Sequence, residues 1–131
     1  MIFLDTSAIY AWTDRKDPNH RGAIDRLQAI LDSGEALVTH NYVLLESLSL
    51  IHARLGLSTA VKLAQDSTVF IVDWVDKDLH ESGVRELEKS GKRRISLVDH
   101  ISFLVMRRRD LTTVFAFDDD FKSRGFRLFS V

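Results

Sequence analysis

Short apolar runs that stop at a polar or acidic residue alternate along this chain with longer stretches whose apolar positions recur every three to four residues. "MIFL" halts at Asp5, and "EALVTH" and "STVFIVDW" repeat the pattern, so three buried strands are expected there. "TTVFAF" and "RLFSV" read as two more strands near the end of the chain. Helical spacing is found in "TSAIYAWTD", from about Pro18 to Leu31, in "NYVLLESLSLIHARLG" and in "STAVKLAQD". It returns in "DKDLHESGVRELEKSG" and "SLVDHISFLVMRRR", and Gly56 and Gly91 close two of these helices. Strands alternating with helices require crossover connections, which predicts an α/β fold with a parallel sheet and helices on both faces.

In such sheets a ligand crevice lies beyond the carboxyl ends of the strands, where the strand order reverses. Residues that immediately follow strands are therefore the first to consider. Asp5 ends the first run and Asp118 ends the fourth, opening the triplet "DDD". Each also has a purely structural reading, Asp5 as the N-cap of the next helix and Asp118 as the cap of a short turn. Asp99 closes "SLVD", the form of a capping box, yet its neighbours Ile95, Ser102 and Phe103 place it on a stripe leaning towards the core. Glu46 lies on a helix that is apolar almost all round, with Tyr42, Val43, Leu50 and Ala53 on its side. A desolvated carboxylate there needs a partner, either a buried arginine or a metal ion. Of the remaining acids, Asp119 is expected to face solvent, and Asp120 ranks below Asp118 as a ligand.

With 131 residues and no linker-like segment, one domain spanning residues 1–131 is expected. No apolar run is long enough to cross a bilayer, and the aspartate at position 5 interrupts any signal-peptide core, which predicts a cytoplasmic protein without membrane contact. The absence of cysteine removes thiolate chemistry and disulfides, and the five histidines have no ligand-like spacing, so a metal would be held by oxygen. Like charges gathered in one crevice raise one another's pKa unless a cation neutralises them. An all-oxygen carboxylate set suits Mg²⁺, or Mn²⁺ in its place. The formal net charge of −1 excludes a globally basic nucleic-acid binder but leaves room for a local basic strip. Lys92, Arg93 and Arg94, just before the helix bearing Asp99, and Lys122 and Arg124 after the acidic turn, are the candidate phosphate contacts, or else ordinary surface cations. Arg107 to Arg109, at the far end of their helix, read as complements to its dipole.

"MIFLDTSAIYAW", "NYVLLESLSL", "RRISLVDHISFLVMRRR" and "VFAFDDDFKSRGFRLF" together resemble, in order and spacing, the successive segments of PIN domains. The length is similar to that of the small stand-alone members, the VapC-type toxins of toxin–antitoxin pairs. The resemblance implies a three-layer α/β/α fold with a central parallel sheet in strand order 3-2-1-4-5. It implies that Asp5, Glu46, Asp99 and Asp118 form the acidic quartet of a Mg²⁺- or Mn²⁺-dependent ribonuclease, with Thr6 or Ser7 as accessory groups. It also implies an RNA substrate, a small antitoxin partner and a homodimer. Ala116 departs from the threonine or serine often found two residues before the last acid. Two other readings stay open, a catalytically silent interaction module of the same fold and a Mg²⁺-dependent phospho-acceptor domain. The second ordinarily has paired acids after the first strand, where this chain has Thr6 and Ser7 after Asp5.

Overall fold

The computed structural model describes Met1–Val131. Five short strands, β1 (Ile2–Leu4), β2 (Leu37–His40), β3 (Ile71–Asp73), β4 (Thr113–Phe115) and β5 (Arg127–Leu128), form one sheet in the order β3-β2-β1-β4-β5. Every pairing is parallel, with Phe3 opposite Val38 on one side and opposite Val114 on the other. The strands are joined by α1 (Thr6–Thr13), α2 (His20–Ser33), α3 (Asn41–Leu55), α4 (Leu57–Asp66), α5 (Lys77–Ser90), α6 (Leu97–Arg108) and α7 (Asp120–Ser123). The α/β class is as the alternating runs predict, and the strand order 3-2-1-4-5 is the one the family resemblance implies. Because β2 and β4 flank β1 on opposite sides, the order reverses between β1 and β4, and a crevice opens beyond their carboxyl ends.

β1 and β4 are buried throughout and, Thr113 apart, apolar, as central parallel strands covered on two faces must be. β3 departs from expectation. "STVFIVDW" is not one buried strand: Ser67–Val69 form a 3₁₀ turn, and only Ile71–Asp73 pair, half-buried at the sheet edge. The cause is local, since the Ser67 and Thr68 hydroxyls donate to the carbonyls of Ala64 and Gln65 three residues back and extend the turn of α4.

Two packing features position the crevice. Phe121 is fully buried, with its ring 5.1 Å from Phe103 in edge-on contact, and it pins the acidic turn to the core. Gly83 lets α5 approach α6 closely, because a Cβ at that position would run into the side chains of Ile101 and Leu97. α6, which carries Asp99, is held from behind by this contact.

Candidate active site

Asp5 is at the end of the central strand and only 5% exposed. Its Oδ2 accepts from the Ser7 amide at 3.1 Å and from the Ser7 hydroxyl at 2.6 Å, so the N-cap reading of Asp5 describes real bonds. The same Ser7 Oγ accepts from the Phe117 amide at 2.9 Å. One hydroxyl therefore ties the carboxylate after β1 to the segment after β4. Burial pushes the Asp5 carboxyl up to about 7, against the two Ser7 hydrogen bonds and with help from the charges of Asp99 and Asp118. No lysine, arginine or histidine is bonded to it.

Asp99 is part of a complete capping box: Ser96 Oγ accepts from the Asp99 amide, and Asp99 Oδ2 accepts from the Ser96 amide at 3.0 Å. Its carboxyl is nevertheless raised, first by burial and then by the charges of Glu46 and Asp120, so cap and crevice member are the same residue. Asp118 is raised as well, by burial and by the charges of Asp120 and Asp99, while its Oδ1 accepts from the Asp120 amide at 2.9 Å. Asp5, Asp99 and Asp118 thus act on one another electrostatically although 94 residues separate Asp5 from Asp99.

Asp120 is more deeply placed than its rank in the sequence suggested. It is buried, and its Oδ1 lies 2.9 Å from the Arg94 guanidinium, whereas Asp119 is exposed as expected. Sequence periodicity gives no signal for Asp120, because in a helix of four residues the direction of a side chain is set by the turn. The sequence groups Arg94 with Lys92 and Arg93 as candidate phosphate contacts. All three are exposed, but Arg94 is engaged with Asp120.

Glu46 needs a correction. It is solvent-exposed, so the desolvation argument for a compensating partner falls, and no arginine is paired with it. The all-round apolar look of α3 misled: Leu45 beside it is 64% exposed. Glu46 stands at the rim, close enough to Asp99 to act on its charge. Thr6 turns away from the acids: its hydroxyl donates to Val43 and accepts from Ser47, which ties α1 to α3. Arg109, read as a dipole complement, instead grips Asp73 at the end of β3 with two guanidinium nitrogens.

The donors around Asp5 are carboxylate and hydroxyl oxygens, the chemistry of a hard divalent cation. No three carboxylates stand together as a ready-made ligand cage, since Asp99 is turned to Ser96 and Asp120 to Arg94. That suits Mg²⁺, which is held by one or two carboxylates and keeps several waters, better than an ion needing a full protein cage.

The acids lie where a parallel α/β domain places its ligand crevice, at the switch point beside the central strand. The chain belongs to the PIN domain family, whose model matches residues 2–127. It is 38% identical over 128 residues to the 23S rRNA-specific endonuclease VapC20 of Mycobacterium tuberculosis, covering 96% of this chain and 95% of that protein. The crystal structure of VapC20, described as a sarcin–ricin loop cleaving toxin, superposes with a TM-score of 0.86 at 34% identity over the whole of both chains. FitAcB from Neisseria gonorrhoeae shares the fold, with a TM-score of 0.65 at 21% identity, covering 99% of this chain and 97% of that one.

Proposed function

We propose that the chain is a metal-dependent endoribonuclease, the toxin of a toxin–antitoxin pair, acting in the cytoplasm. The observation that carries this reading is Asp5: a carboxylate buried at the centre of the sheet, next to Asp99 and Asp118 and with no cation of its own. Of Asp5, Asp99 and Asp118, one or two would hold a Mg²⁺ or Mn²⁺ ion directly, and the rest, with Glu46 at the rim, would act through water. Bound there, the cation would supply Lewis acidity towards the phosphoryl oxygen and lower the pKa of water. The chain's own work is orientation. Ser7 fixes the Asp5 carboxylate and the segment after β4 together, and the Ser96 capping box fixes Asp99 at the start of α6. Lys92 and Arg93, exposed beside the crevice, would receive substrate phosphates.

The likeness to VapC20 over the full length makes the sarcin–ricin loop of 23S rRNA the first RNA to try, and makes an antitoxin partner and a homodimer part of the proposal. The test incubates the purified protein with a panel of structured RNAs that includes this loop, in Mg²⁺, in Mn²⁺ and in chelator. Cleavage that needs the metal and is lost in Asp5→Asn is expected. Cleavage that persists in chelator, or a folded and fully active Asp5→Asn protein, would overturn the reading.

A further inference from the structure

Two concave surfaces outside the acidic crevice combine aromatic rings with cations that form no ion pair: a hollow at the far end of α1, with Tyr10, Arg15, Lys16 and Arg54, and a groove that adjoins the acidic turn. The groove, of about 670 Å³, runs between α2, the acidic turn and β5, lined by Arg26, Phe117, Asp119, Lys122, Arg127 and Phe129. All strands are parallel, so the carboxyl end of β5 opens on the same side as those of β1 and β4. The groove therefore begins at the turn that carries Asp118 and leads away along the sheet edge.

Its lining is locally basic in a protein whose net charge is −1. Arg26, Lys122 and Arg127 form no ion pair, and what sets them apart from other unpaired cations is that they share one groove beside the acidic turn. Arg26 lies over the Phe117 ring at 4.6 Å from its centroid, and Arg127 donates to the Thr113 hydroxyl at 3.0 Å, so two of the three cations are held in place. Asp119 is the single acid of the lining. The apolar hollow beneath Trp12, Leu31 and Val69 is the opposite case: its charged residues are Glu35 and Asp66, which would repel a polyanion.

Fixed cations interleaved with half-buried phenylalanines are what a single strand of nucleic acid requires, phosphates meeting the cations and bases stacking on the rings. We propose that this groove is the track for the single-stranded RNA flanking the scissile bond, with Lys122, Arg127 and the Arg26 guanidinium seated on Phe117 meeting phosphates and Phe129 against a base. The inference rests on the ribonuclease reading and adds to it the path by which the substrate leaves the crevice.

The experiment measures binding of a fluorescein-labelled single-stranded oligoribonucleotide to the whole protein in chelator, by anisotropy across a salt series. The Lys122→Glu/Arg127→Glu double variant should bind at least tenfold more weakly, with a salt slope smaller by about 1.4, as expected for two lost contacts to a single strand. Lys122→Gln, a milder surface change, should lower the slope by about half as much. Phe129→Ala should weaken binding about five- to a hundredfold with the slope unchanged, because stacking releases no counterions. Lys77→Glu/Lys89→Glu on α5, matched in charge, should bind as the wild type does. Groove variants that bind RNA with unchanged affinity and slope would overturn the proposal. So would variants that bind RNA normally but fail to capture a co-expressed antitoxin, since the occupant would then be a protein. If the wild type cleaves RNA and the double variant does so with unchanged KM, the groove falls and the ribonuclease reading stands. If the wild type neither binds nor cleaves RNA, both fall.

Discussion

Asp5 and Asp73 both stand at the carboxyl ends of parallel strands of one sheet, β1 and β3 with β2 between them, and their surroundings are opposite. Asp73, at the edge, is gripped by Arg109 from the end of α6, and that guanidinium holds its carboxyl below the usual range. Asp5, in the centre, has only the amide and hydroxyl of Ser7, with Asp99 and Asp118 nearby, and burial drives its carboxyl up. A strand-end carboxylate with an arginine from its own chain is a structural tie. One that is buried among other acids costs the fold stability, and under the proposed function a divalent cation would offset that cost.

The strongest way to break this comparison is to neutralise Asp5. Asp5→Asn should lower RNA cleavage more than about a hundredfold, since even outer partners of metal ligands are worth about 10–100-fold. Metal-free Asp5→Asn should at the same time be more stable than the wild type at pH 8, by on the order of 2–4 kcal/mol in denaturant melts, because asparagine keeps the cap and removes the buried charge. The sign with pH follows from the raised carboxyl. Between about pH 4 and pH 7 folded Asp5 keeps a proton that the unfolded chain has released, so its contribution to stability falls as pH rises. The gain in Asp5→Asn should therefore vanish near pH 4.

Asp73 should behave in reverse. Arg109→Met should lower stability by about 1–2 kcal/mol at pH 7, as for a half-exposed bidentate pair. Because the Asp73 carboxyl is depressed, that contribution is fully present above its unfolded pKa and disappears as pH falls through the folded one. Cleavage by Arg109→Met should stay within about threefold of wild type at a temperature where both are folded. Gly83→Ala, which crowds Ile101 and Leu97, should cost about 1–3 kcal/mol in the same melts and sharpen the point that stability and chemistry are carried by different places. The smallest effect is expected at Asp99. Asp99→Ala loses the capping box and should cost about 0.5–1 kcal/mol, whereas Asp99→Asn keeps an acceptor, removes a charge and should be neutral or slightly stabilising without metal.

Asp5 and Asp118 were legible in the sequence because an apolar run that stops at an acid marks a strand end, and strand ends converge in a parallel sheet. Asp99 was legible as a cap, which its hydrogen bonds with Ser96 show, and its carboxyl is raised by burial and by neighbouring acids. Glu46 misled because periodicity counts apolar residues without knowing which face is covered, and Leu45 is left in solvent. Asp120, the Ser7 bridge to Phe117 and the Asp73–Arg109 pair were not legible. Each depends on a turn direction or on a contact between distant segments, 110 residues apart for Ser7 and Phe117, that no local pattern encodes.

The central claim, that the acids around Asp5 await a divalent cation, is tested most directly by calorimetric titration of Mn²⁺ into metal-free protein at pH 6.5 in buffers of different ionisation enthalpy. The account predicts saturable binding with an apparent enthalpy that varies with the buffer, because Asp5 gives up its proton to the solution, and loss of that proton release in Asp5→Asn. Absence of binding in the wild type, or binding with the same affinity and proton release in Asp5→Asn, would contradict it.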